Sequence, residues 1–278
     1  MSATFKDAPN QSVDVNGTKF VFREVGKTGG VPIVFLHHLT AVLEDWDPRV
    51  VDGIAARHHV ILFDNRGVGG SAGSTPETVE AMALDAAEFI AALGFSKVDL
   101  LGFSLGGFVS QSLAQQRPDL VRKIILAGTG PAGGQGIANV GAILQDAFAK
   151  AGTTNKHPKH FLFFTQTNDG QSAADAFLQR LKERTKDVDV AVSNETVQAQ
   201  LAAICAWGQG DATSLAGIQQ PVLVANGDDD VMVPSINSFE LARRLPNAQL
   251  SIYPNAGHGG IFQYHETFVQ QALDFLQH

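Results

Sequence analysis

Gly102-Phe103-Ser104-Leu105-Gly106 is the stretch of this chain whose residue types could break a covalent bond. A serine hydroxyl attacks a carbonyl only when a base takes its proton, and that base needs a third group to hold its tautomer. Gly-x-Ser-x-Gly alone is a weak pattern, but its flanks give it weight. Val98-Asp99-Leu100-Leu101 is a short apolar run suited to a buried strand. Beyond it Leu105, Phe108, Val109 and Leu113 recur at helical spacing until Pro118 stops them. A nucleophile on a sharp strand-to-helix turn has a strained backbone, and glycines flank it because a side chain there would collide with the neighbouring strand or helix. The helix aims its positive end at the same point, where negative charge builds up during acyl transfer. The spacing predicts Ser104 as a nucleophile.

The elements that must position such a serine follow from periodicity. Residues 12–25 alternate around Asn16-Gly17 and read as a β-hairpin. Buried strands are expected at Val31-Pro32-Ile33-Val34-Phe35-Leu36, Val60-Ile61-Leu62-Phe63, residues 121–127, Pro221-Val222-Leu223-Val224-Ala225 and Gln249-Leu250-Ser251-Ile252-Tyr253. Helices are expected from Asp45-Trp46-Asp47-Pro48 to Ala56, over residues 76–93 with Pro76 in the first turn and Gly94 closing, over 235–245 behind a Ser235 cap, and over 265–276. Strands alternating with helices predict a mainly parallel sheet with helices on both faces. From residue 132 to about 216 the alternation stops. Helices are expected there at 137–150, 173–185 and 193–207, separated by Gly152-Thr153-Thr154-Asn155 and Asn168-Asp169-Gly170. Phe148, Phe161, Phe163, Phe164, Ile204 and Trp207 are candidates to line an apolar pocket, and Lys156, His157, Lys159 and His160 read as a solvated turn.

Three other chemistries are disfavoured. His37 and His38 are neighbours at a strand end and point to opposite sides, which argues against a joint metal site. The glycine-rich run from Asp64 to Ser71 has no phosphate-loop ending, which disfavours nucleotide binding. Asp228-Asp229-Asp230 lacks the twelve-residue calcium-loop pattern. The chain has 278 residues, 44% hydrophobic and 17% charged, with a formal charge of −8. That balance fits a globular protein and argues against nucleic acid or an anionic membrane as partner. Cys205 is the sole cysteine, so no intrachain disulfide can form. Residues 1–9 lack the apolar core of a signal peptide and no run is long enough for a membrane span, which makes cytoplasmic the expected location.

On Phe35-Leu36-His37-His38-Leu39, the run from Phe63 to Ser71, the Ser104 turn, Gly227-Asp228-Asp229-Asp230-Val231-Met232-Val233-Pro234 and Asn255-Ala256-Gly257-His258, the chain resembles the α/β-hydrolase superfamily over nearly its whole length. The resemblance implies a core of residues 1–131 and 217–278, with 132–216 inserted after the sixth strand as a helical cap. It implies structural roles for Asp64 and Arg66 in shaping a loop beside the active site, and an oxyanion hole made by the backbone N–H groups of Leu39 and Leu105. Here the chain departs from its family, because the usual glycine before Leu39 is His38. It also implies the chain order serine, acid, histidine. His258, in a glycine-flanked loop after the last strand, is then the base, whereas His265 begins a helix. Among the three aspartates, the spacing to Pro234 favours Asp230 by resemblance, with Asp228 as fallback.

The resulting expectation is a serine hydrolase that cleaves a small carboxylic ester or lactone through an acyl-Ser104 intermediate, with no metal and no organic cofactor. His38, Phe164 and Trp207 are its expected pocket residues, a small molecule is its expected partner, and the oligomeric state is open. Relatives with the same residues cleave carbon–carbon bonds beside a ketone, or act as cofactor-free perhydrolases or haloperoxidases. From a different class, some intact-triad relatives are small-molecule receptors. Fold and triad do not choose among these.

Overall fold

A computed structural model describes residues 4–211 and 215–277. Part of the stretch read for a leader, and residues 212–214 of the 132–216 insertion, lie outside the described residues. Eight strands form one sheet in the order β1-β2-β4-β3-β5-β6-β7-β8. They are β1 (Gln11–Val15), β2 (Thr18–Val25), β3 (Ile33–Leu36), β4 (Val60–Phe63), β5 (Val98–Phe103), β6 (Val121–Ala127), β7 (Val222–Gly227) and β8 (Ala248–Tyr253). β2 pairs antiparallel with both β1 and β4, and every pairing from β4 across to β8 is parallel. Asn16 and Gly17 both have positive φ (51° and 82°), the backbone that a tight two-residue hairpin turn demands.

Every residue of β3, β4, β5 and β7 is buried, so both faces of the sheet are covered, as their unbroken apolar runs require. The covering helices are α1 (Pro48–Ala55), α2 (Val79–Ala92), α3 (Leu105–Gln116), α8 (Ile236–Arg244), the short α9 (Gly260–Gln263) and α10 (His265–Gln277). α2 packs on α3, and α1 on α10. α2 starts later than its sequence suggests. Thr78, whose hydroxyl accepts from Ala81 N at 3.2 Å, is its cap, and Pro76 lies outside the helix.

Between β6 and β7 the described residues form helices and no strand: α4 (Val140–Thr154), α5 (Lys159–Leu162), α6 (Asn168–Leu181) and α7 (Asn194–Gln209). Both expected breaks fall differently. α4 runs through Gly152 to Thr154 and ends on left-handed Asn155 (φ 54°). Asn168-Asp169-Gly170 is the first turn of α6, capped by Thr167. Turn-forming residues and helix N-termini share a chemistry, since both use short polar side chains on free N–H groups.

Salt bridges fasten this segment to the connection after β3 and the first turn of α1. Arg180 makes a paired contact with buried Asp47, its nearest approach 2.6 Å. Glu183 meets Arg49 at 2.7 Å, Arg184 lies 3.5 Å from Glu44, and Lys159 pairs with Asp45. Lys159 and His160 are therefore not a solvated turn. The lysine side chain is 13% exposed, and His160 is buried. Its neighbours Lys156 and His157 are exposed, as expected.

Candidate active site

Ser104 sits between β5 and α3 with φ 56° and ψ −117°, outside the backbone regions that L-residues prefer. Its neighbours explain the flanking glycines. A Cβ on Gly106 would lie 2.0 Å from Leu36 O of β3, and one on Gly102 would lie 2.3 Å from Gly106 O. The strained turn is fixed by Ser104 N donating to Ala127 O (2.9 Å) and by the Thr129 hydroxyl donating to Ser104 O (2.9 Å).

His258 follows β8, and its Nδ1 lies 2.8 Å from Asp230 Oδ2. A carboxylate only accepts, so Nδ1 carries the proton and Nε2 is left with a lone pair. The other Asp230 oxygen accepts from Met232 N (2.8 Å) and Val233 N (3.0 Å), and the side chains of both Asp230 and His258 are essentially buried. Asp228 is exposed and accepts from Ala256 N at 3.2 Å, and Asp229 is exposed as well. Of the three aspartates, Asp230 meets the histidine.

Two supports of this pair are not evident in the sequence. The Ser235 hydroxyl, expected to cap α8, instead donates to Gly227 O (2.6 Å) and accepts from Asp230 N (3.3 Å). On the histidine side, Gly259 N donates to Phe163 O (2.7 Å), so the segment between β6 and β7 holds the His258 loop. Gly227 lets the two loops cross, for a Cβ there would lie 2.0 Å from Ala256 O.

Ser104 and His258 line one cavity of about 530 Å³. Its apolar wall is Leu39, Leu144, Phe148, Leu162, Phe163, Val197 and Met232, with His38, Thr40, Asp45, His157, Lys159 and Asn194 as polar members. Phe148 is 60% exposed and stands at the edge of this wall. Of the expected pocket residues, His38 lines this cavity, but Phe164 and Trp207 do not. Trp207 stacks on Phe108 (centroids 5.4 Å apart) and donates Nε1 to Gly130 O at 3.3 Å. Phe164 and Phe161 face a separate cleft beside α4. Ile204 is buried away from the cavity.

Leu39 N donates to no protein group among the described residues, and Leu105 N, at the first position of α3, has no intrahelical acceptor. The His38 ring packs edge-on between Phe103 and Phe163 (5.3 and 5.2 Å). Burial and then nearby Lys159 push it down to about 3, so it is neutral at any ordinary pH. Burial likewise pushes His37 down to about 4, and its ring turns instead toward Trp46. Burial, the largest single influence on the Asp45 carboxyl, raises it, but the Lys159 ammonium, His38 and the Val42 N–H together outweigh it and hold the group at about 2. Asp64 and Arg66 have structural partners: Asp64 accepts from Leu43 N and Gly70 N, and Arg66 binds Asp85. Among the described residues no group of three or more His, Cys, Asp or Glu side chains could hold a metal ion, and no helix is long and apolar enough to cross a membrane.

The sequence profile of the alpha/beta hydrolase fold matches residues 31–263, and the chain belongs to that family. An alpha/beta hydrolase fold protein from Chitinophaga pinensis is 42% identical, with a TM-score of 0.92 over 99% of both chains. A non-heme haloperoxidase of Rhodococcus erythropolis is 29% identical over 278 aligned residues, covering 94% of this chain and 97% of that protein. The enol-lactonase from Burkholderia xenovorans LB400 shares the fold, with a TM-score of 0.76 at 22% identity, over 96% of this chain and 100% of that one.

Proposed function

We propose that this chain is a serine hydrolase acting on a small carboxylic ester or lactone. The observation that carries the reading is the strained Ser104 sharing one cavity with a histidine whose Nδ1–H is fixed on buried Asp230. In this mechanism His258 Nε2 takes the Ser104 proton as Oγ attacks the acyl carbon. The Leu39 and Leu105 N–H groups receive the oxyanion, and the alcohol leaves with the proton from His258. Water, deprotonated by the same nitrogen, then releases the acid. Asp230 holds the tautomer and stabilises the imidazolium without taking its proton. No metal or organic cofactor enters these steps.

Residues 132–216 are the cap in this reading, supplying Leu144, Phe148, Leu162, Phe163 and Val197 to the acyl or alcohol side of the substrate. The haloperoxidase relative favours one second reading, in which hydrogen peroxide replaces water and a peracid leaves. A panel of p-nitrophenyl esters of increasing chain length, with and without peroxide, separates them. Ester turnover that is abolished in Ser104→Ala supports the hydrolase. Halogenation that requires peroxide supports the second reading, and absence of turnover on every ester refutes the first.

A further inference from the structure

The turn that carries the proposed oxyanion donor is strained. Ala41 N donates to His38 O at 3.2 Å, closing the four residues 38–41 into a β-turn. Its third residue, Thr40, has φ 63°, a conformation left to glycine or asparagine in such turns and unfavourable for a β-branched side chain. Left alone, a turn of this kind relaxes by rotating its central peptide plane, here the one joining Leu39 to Thr40. Both ends of that plane are held. His38 Nδ1 donates to Leu39 O at 2.8 Å, and Gln200 Oε1 accepts from Thr40 N at 2.7 Å. Neither contact is ambiguous in direction, because a carbonyl only accepts and a backbone N–H only donates. Gln200 is 1% exposed and lies on α7, 160 residues further along the chain.

We propose that Gln200 and His38 are positioning residues that clamp the Leu39–Thr40 peptide, so that the turn whose preceding peptide carries the Leu39 N–H keeps its shape only while α7 is docked on the core. The proposal rests on the serine-hydrolase reading for its catalytic consequence, and on geometry alone for the clamp itself. It gives His38 a reason to replace glycine. The ring supplies a donor that glycine lacks, and its box of Phe103 and Phe163 keeps that donor pointed at the Leu39 carbonyl. It also makes the inserted segment part of the catalytic apparatus, as well as a wall of the pocket. Donors at such a site must be held to within about half an ångström, so a loosened turn that shifts the adjoining His38–Leu39 peptide, which carries the Leu39 N–H, loses function without losing the fold.

The test uses Gln200→Leu, which keeps shape and removes the acceptor, alone and combined with Thr40→Gly, which makes the positive φ free of strain. Because a lost oxyanion donor lowers kcat by about 10²–10³, a loosened one should lower it by about tenfold or more on p-nitrophenyl acetate, with KM within about threefold. In the Thr40→Gly background the same substitution should cost less than about threefold, because nothing remains to relax. Hydrogen exchange at the Thr40 amide, followed by NMR, should speed up by about tenfold or more in Gln200→Leu, and this reads the clamp without any reaction. His38→Phe, which keeps the ring and removes its donor, should repeat the kcat loss and the rescue if Gln200→Leu fails to fold. Equal kcat losses in both backgrounds, a change confined to KM, or an unchanged Thr40 exchange rate would overturn the clamp. A native chain that turns over no ester would instead refute the hydrolase reading, and the exchange rate would still decide the clamp.

Discussion

Replacing Asp230 by asparagine changes one atom pair, and the geometry fixes which way the new amide must face. Oδ1 accepts two backbone N–H groups, from Met232 at 2.8 Å and Val233 at 3.0 Å, so that position must remain an oxygen. The –NH₂ group then occupies the Oδ2 position, 2.8 Å from His258 Nδ1. A donor facing Nδ1 forces the ring proton onto Nε2, the atom that must be free to take the Ser104 proton. By analogy with the same change in a serine protease, kcat should fall by about 10⁴, equivalent to about 5 kcal/mol of transition-state stabilisation. Folding should be nearly intact, because the two backbone bonds survive. Stopped-flow hydrolysis of p-nitrophenyl acetate measures the loss, and Asp228→Asn is the control. That residue is exposed and holds only Ala256 N, so its variant should stay within about tenfold of the native rate, the range of a modest local change. A crippled Asp228→Asn beside a mild Asp230→Asn would refute the assignment.

Leu39→Pro removes one proposed donor and should cost about 3 kcal/mol in activation free energy, a hundredfold or more in rate, while Leu39→Ala keeps most activity; kcat of folded variants decides. Phe148→Ala and Phe163→Ala should change the chain-length preference for esters, whereas Trp207→Ala should leave it unchanged and destabilise the fold by about 3–5 kcal/mol, read by denaturant unfolding. His37 and His38, held at about 4 and about 3, bind protons more weakly folded than unfolded, so their contribution is full above about 6.5 and drains away as the pH falls toward those values. At about 1.4 kcal/mol per unit of depression the combined loss is several kcal/mol, and His38→Asn should show a visibly smaller drop in melting temperature between pH 7 and pH 4.5 than the native chain.

Local pattern carried the sheet and the elbow because both are written in short stretches. The apolar runs of β3 to β7 and the Gly-x-Ser-x-Gly stretch are each contiguous in sequence; Gly102 is required by packing within its own strand–turn–helix unit, and Gly106 by the neighbouring strand β3. What was hidden depends on partners far along the chain. Lys159 looked like a solvated charge because its partner, Asp45, is 114 residues away. Trp207 and Phe164 looked like pocket residues because an aromatic side chain in a helix does not announce which neighbour it faces. Trp207 chose Phe108 and Phe164 a different cleft, while the cavity wall went to Leu144 and Leu162 beside Phe148 and Phe163, two aromatics that the sequence does mark for it. Ser235 carried a visible signal, a hydroxyl after Pro234 at a helix start, but the acceptor it serves is the Gly227 carbonyl at the end of β7. Gln200 carried none, since a glutamine inside a helix reads as surface until the tertiary fold buries it.

The central claim is that Ser104 is the nucleophile, and covalent labelling tests it most directly. After treatment with a fluorophosphonate, intact-protein mass spectrometry should show one added label, with the adduct mapping to Ser104 and absent from Ser104→Ala. Labelling that persists in folded Ser104→Ala, or that maps to another residue in the native chain, would contradict the account.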